Sequence, residues 1–232
     1  MAIKKHTDKT YDSELDDLRH SLIQLGGKVE SEIAQSVRAL TERDSDLANQ
    51  VLAADREVNR LEITIDEMCR RLLALRQPAA SDLRLITTAL KIVVDLERMG
   101  DLAVNIAERA IDLSQSPPLP PVHDLTKLAQ LCQNQLRAAL DAFVDGDAGK
   151  AEAVIKADML LDALYHKLFN DLLGLMMEDP RNIRRANSLL FVAKHLERLG
   201  DHATNVAEMV VYMVRGTDVR HPNSREVAPK PA

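Results

Sequence analysis

The sequence predicts an all-α chain made of two tandem three-helix bundles related by internal duplication. Three observations carry that prediction. Apolar residues recur at alternating steps of four and three through most of the 232 residues. The apolar content is aliphatic: Trp is absent and Phe and Tyr number three each, which suits helices packed by Leu, Ala, Ile, Val and Met. A thirteen-residue phrase is also written twice, as LERMGDLAVNIAE at 96–108 and as LERLGDHATNVAE at 196–208, with nine positions identical.

The elements follow in order. Leu15, Leu18, Leu22, Leu25 and Val29 open a first helix, continued by Ile33, Val37 and Leu40. A second helix starts near Asp44 or Ser45, both good N-caps. Its seam is Leu47, Val51, Ala54, Val58, Leu61, Ile65, Met68, Leu72 and Leu75. The stretch QPAASD breaks it at Pro78, and a third helix restarts near Ser81 with Leu96, Gly100, Ala103 and Ala107 facing inward. Four prolines in SQSPPLPP, residues 114–121, separate the halves. The plan then repeats. Leu125, Leu128, Cys132, Leu136 and Ala139 open the second block, and VDGDAG makes the turn. Val154, Ala157, Leu161, Leu164, Leu168, Leu172 and Leu175 form the long seam. Asp179 and Pro180 start the last helix, which buries Leu196, Gly200, Ala203, Ala207 and Val210. The expected division is a bundle over 12–113, a linker over 114–121, a bundle over 122–216 and a polar tail over 217–232.

Composition narrows the function. A net charge of −6 and a pI near 5.7 argue against nucleic acid as a partner. No charged-then-apolar leader opens the chain, and its apolar runs are too short and too interrupted by charge to span a bilayer. Cys69 and Cys132 stand far apart and match no ligand spacing, so a reducing, cytoplasmic setting is expected.

The repeated phrase places carboxylates in a pattern. At 100° per residue, Glu97, Asp101, Asn105 and Glu108 fall within about 80° of one another, beside the apolar seam. On the second helix Asp55, Asn59 and Glu62 each follow a seam residue, as do Asp158 and Asp162 on its counterpart. Helices joined by a short turn are antiparallel neighbours, so the stripe on one abuts the stripe on the next. The expectation is a carboxylate cluster in each bundle, drawn from two helices. An acidic stripe beside a seam is ordinarily a solvated face, and Arg98 and Arg198 stand ready to pair with Asp101 and Asp201. The alternative to a site is therefore a structural helical scaffold with metal-free, solvated stripes. Repetition in both halves favours a site, since clustered carboxylates repel unless protonated or bridged by a cation. Oxygen ligands suit hard ions such as Mg²⁺, Mn²⁺ or iron. Gly100 and Gly200 lie mid-helix, where Gly costs about 0.8–1.0 kcal/mol against Ala, and their seam position implies close helix approach. An enzyme is disfavoured. The Glu-x-x-His pattern of di-iron bundles is absent from the sequence, as are a phosphate-cradling Gly-rich loop and a nucleophile–base set. His166 follows Asp162 by four residues, and His202 has Leu102 as its counterpart.

LERMGD and LERLGD, with LRQPAASDLRLI at 75–86, MMEDPR at 176–181 and MVRGTDVRH at 213–221, resemble the PhoU family, and the similarity runs from about residue 12 to 221. The resemblance implies a cytoplasmic, non-enzymatic accessory protein of high-affinity phosphate transport. Such a protein is a negative regulator of the phosphate-starvation response. It acts as an adaptor between the ATPase subunit of the phosphate ABC transporter and a membrane sensor histidine kinase, reaching the membrane through these partners. Family members commonly form homodimers, and some bind metal clusters through Glu/Asp-x-x-x-Asp motifs. That motif falls on Glu97 with Asp101, Glu197 with Asp201, and Asp158 with Asp162. The fourth copy reads Asp55 with Asn59, which leaves the N-terminal set one carboxylate short.

Overall fold

The computed structural model describes residues 9–78, 80–119 and 123–220. They form six α-helices: α1 (Lys9–Glu42), α2 (Ser45–Arg76), α3 (Ala80–Ser114), α4 (His123–Asp145), α5 (Ala148–Glu178) and α6 (Ile183–Arg215). A short 3₁₀ turn over Pro180–Asn182 precedes α6. The all-α expectation holds, with three helices to each bundle. Residues 120 and 121 of the proline-rich link and residues 221–232 of the tail lie outside the described residues.

The helix boundaries follow from local chemistry. Between α1 and α2 stand only Arg43, in the left-handed region at φ 58°, and Asp44. The Asp44 side chain accepts from the Leu47 N–H at 2.9 Å and so satisfies an orphan donor of α2. Gln77 ends α2 at φ 45°, just before Pro78. Gly146 turns the chain at φ 58°, and Asp147 then caps α5 by accepting from the Gly149 and Lys150 N–H groups. Asp179 caps the 3₁₀ turn at Arg181, so the α-helix proper begins three residues after Pro180.

Burial follows the apolar spacing, with one correction. In α1 the row from Leu15 to Leu40 is buried as expected. In α2, however, Ala54 is exposed and Leu75 is 68% exposed, while Val51, Val58, Ile65, Cys69 and Leu72 are buried. A straight α-helix drifts about 20° per heptad against a strict seven-residue repeat, so by its C-terminal end at Leu75 the seam has turned outward.

The bundles lie side by side. Helices α1, α2 and α3 pack on one another, as do α4, α5 and α6, and the halves meet through α3 with α6 and α1 with α4. One apolar core therefore runs through both. Polar contacts pin the seam. Asp95 of α3 accepts from Asn205 of α6 (3.1 Å) and pairs with His202 Nδ1 (2.8 Å). Arg137 of α4 donates to Glu30 of α1 at 2.9 Å, and Arg84 of α3 donates to the Met213 carbonyl at 3.2 Å. Gly26 admits Leu140 so closely that a Cβ there would stand 2.7 Å from its methyls. The outer helices, α2 and α5, pack within their own bundles.

Candidate functional site

The duplicated glycines mark the site in each bundle. A Cβ on Gly100 would lie 3.2 Å from Val58 Cγ1 of α2, 3.5 Å from Asp55 Oδ1 of α2 and 3.5 Å from Glu32 Oε2 of α1. A Cβ on Gly200 would lie 2.7 Å from Leu161 Cδ1 of α5 and 3.1 Å from Gln135 Oε1 of α4. The mid-helix glycines thus allow the close approach expected of them, and polar side chains from the neighbouring helices fill the space.

Around Gly100 the structure brings together Asp55, Glu97 and Asp101. Burial raises the Asp55 pKa, and the Asp101 charge raises it further. Burial likewise raises Glu97, followed by the charges of Asp101, Glu62 and Asp55. Around Gly200 stand Asp158, Asp162, Glu197 and Asp201. Asp158 is raised by burial and then by Asp162, with Glu197 adding to it. Asp201 is pushed up to about 6 by burial, then by Glu197, Asp158 and Asp162. The seven acids singled out from the sequence thus lie in two groups, one per bundle, within one another's electrostatic reach. Local ion pairs engage the two glutamates and not the aspartates. Arg98 lies 3.7 Å from Glu97 rather than pairing with Asp101, and Lys194 is 2.5 Å from Glu197.

Two side chains escaped the sequence reading. Glu32 is 4% exposed, its Oε2 has no partner, and its pKa is pushed up to about 7 by burial and then by Asp55. Gln135 is 6% exposed at the matching place on α4 and donates to Asp158 at 3.4 Å. The offset of 103 residues from Glu32 to Gln135 is the one that relates Asp55 to Asp158 and Asn59 to Asp162. That correspondence was the available signal. It sets a carboxylate of α1 close to Gly100 in the bundle where α2 has Asn59. Of the remaining candidates, Glu108 is exposed, His166 is exposed with its ring 5.5 Å from that of Tyr165, and His202 serves the contact between bundles.

The donor set suits a hard cation. It is all oxygen, and Asp55 Oδ1, like Glu32 Oε2, is buried without a partner. Among the described residues, no three His, Cys, Asp or Glu side chains already stand in metal-holding geometry.

Fold and site together define a duplicated six-helix protein with one carboxylate cluster per repeat, half-buried except for the exposed Asp101 and Asp201. Residues 22–110 and 125–210 each match the PhoU domain. The chain belongs to the PhoU family. It is 45% identical over 221 residues to the phosphate-specific transport system accessory protein PhoU homolog of Pseudomonas putida, covering 95% of this chain and 86% of that protein. To the corresponding Escherichia coli K12 protein it is 36% identical over 227 residues, covering 98% and 94%. The crystal structure of PhoU from Pseudomonas aeruginosa superposes with a TM-score of 0.87 at 44% identity, covering 89% of this chain and 100% of that one. The phosphate transport system regulatory protein PhoU from Streptococcus pneumoniae gives 0.84 at 31% identity, covering 90% and 99%.

Proposed function

We propose that the chain is a non-catalytic accessory protein of phosphate transport that represses the phosphate-starvation response. It links the ATPase subunit of the phosphate ABC transporter to a sensor histidine kinase and keeps that kinase silent when phosphate is plentiful. The observation that carries this reading is the likeness to phosphate transport accessory proteins along nearly the whole chain, through both repeats. Among the described residues no helix is long and apolar enough to cross a membrane, in keeping with a cytoplasmic adaptor, working as a homodimer, that meets the membrane through its partners.

The carboxylate clusters are read as cation sites. Glu97, Asp101 and Asp55 would hold a divalent or iron ion in the N-terminal bundle, and Glu197, Asp201, Asp158 and Asp162 would do so in the other. A bound cation supplies positive charge that relieves repulsion among the acids and ties α2 to α3 and α5 to α6. The buried, unpartnered oxygen of Asp55 supports this reading. The regulatory role is tested by deleting the gene: alkaline phosphatase output in phosphate-rich medium rises, and the intact gene restores repression. Unchanged output on deletion contradicts the role.

A further inference from the structure

We propose that Glu32 is the fourth carboxylate of the N-terminal cation cluster, supplied by α1 in exchange for the acid that α2 lacks at Asn59. The inference rests on the reading of the clusters as cation sites.

The two bundles solve one problem with an acid and an amide exchanged between helices. In the C-terminal bundle the acid is on the middle helix, at Asp162, and the amide is on the first, at Gln135. Gln135 donates through Nε2 to Asp158 Oδ1 at 3.4 Å, as a neutral amide beside an acid should. In the N-terminal bundle the amide is on the middle helix. Asn59 donates to Asp55 Oδ2 at 2.8 Å and so occupies one oxygen of that carboxylate. The other oxygen, Oδ1, is buried and unpartnered, and it lies 3.5 Å from the place a Gly100 Cβ would take. Glu32 Oε2 stands at the same distance from that place, also buried and unpartnered. A carboxylate 4% exposed, within electrostatic reach of a second one and with a buried, unpartnered oxygen on each, is an unfavourable arrangement that a cation relieves. With the exchange, each cluster holds four acids: Glu32, Asp55, Glu97 and Asp101 in one, and Asp158, Asp162, Glu197 and Asp201 in the other.

Glu62 is the rival for the fourth place, since it sits one turn beyond Asn59 and acts on Glu97. Its side chain is only half-buried and none of its oxygens is buried without a partner, whereas Glu32 meets both conditions. Nothing about Glu32 as a lone acid on α1 repeats the Glu/Asp-x-x-x-Asp spacing, so its role comes from the three-helix geometry alone.

The test uses the full chain with Glu197→Ala and Asp201→Ala in place, so that the N-terminal cluster is the one left to read. Chelator-stripped protein is titrated with Mn²⁺ and bound metal is counted after equilibrium dialysis, with circular dichroism confirming the helical fold of each variant. Adding Glu32→Gln weakens Mn²⁺ binding by roughly tenfold or more, while adding Glu62→Gln changes it less than about threefold. Combining Glu32→Gln with Asn59→Asp, which recreates the C-terminal arrangement, restores most of the affinity. Unaltered binding in Glu32→Gln, or no recovery with Asn59→Asp, overturns the exchange while leaving the cation reading in place. A parent protein that takes up no Mn²⁺ overturns both.

Discussion

A carboxyl group kept from water and placed beside a second carboxylate holds its proton to a higher pH than it would in an unfolded chain. Glu32 is in that position, with its pKa moved from 4.5 to about 7 by burial and by Asp55. In the metal-free protein the folded state therefore binds one more proton than the unfolded state between pH 4.5 and about 7. Stability falls as pH rises through that window, by on the order of 3 kcal/mol from this group once both forms are ionised. Denaturant unfolding of chelator-treated protein at pH 5 and pH 8 checks this. Wild type loses stability on going to pH 8, Glu32→Gln loses clearly less, and equal slopes would refute the assignment. Glu32 was not legible in the sequence. With no second acid four residues away and Lys28 one turn before it, it looks like surface charge until the fold sets α1 against Gly100. The motif acids were legible because helical spacing alone puts Glu97 with Asp101 and Glu197 with Asp201 on one face. Asp55 lies further inward than the exposed Ala54 before it.

At the scale of the element, each duplicated glycine exchanges helix propensity for proximity. Gly200→Ala gains about 0.8–1.0 kcal/mol of propensity. It also drives a methyl to 2.7 Å from Leu161 Cδ1, and Leu161 is 1% exposed with little room to turn. Overpacking of this kind costs about 1–3 kcal/mol, so the net change is a loss of about 1 kcal/mol. At Gly100 the nearest atom is Val58 Cγ1 at 3.2 Å, a milder conflict, and alanine there comes out closer to neutral. Urea midpoints read the order directly: Gly200→Ala falls below Gly100→Ala, and a Gly200→Ala protein more stable than wild type would contradict close approach at that point. The helix caps at Asp44 and Asp179 were readable because they are local. The role of Arg43 was not. It caps the far end of α3, donating to the Leu113 and Ser114 carbonyls at 2.7 and 2.9 Å across a separation that only tertiary structure closes.

For the whole molecule, the consequence of duplication is a shared core. The sequence showed two bundles and a proline-rich link, and it was silent on how they meet. The pair of Asp95 with His202 explains why: its members lie 107 residues apart, and it breaks the repeat, since the positions that correspond to them are His195 and Leu102. With α3 buried against α6, the halves should unfold together. Calorimetry is expected to give a single transition whose van't Hoff and calorimetric enthalpies agree, and two resolved transitions would show that the bundles are independent. The helices that meet at the seam, α3 and α6, are also the ones that carry the LERMGD and LERLGD motifs.

Each repeat is proposed to carry a cation site made of converging acids. Metal analysis of protein purified without chelator tests it most directly, with wild type set beside the variant Glu97→Ala, Asp101→Ala, Glu197→Ala, Asp201→Ala. The expected result is a tightly held divalent or iron ion in wild type and its loss from the correctly folded variant. Wild-type protein free of metal, with the variant indistinguishable from it in both metal content and repression, would contradict the claim.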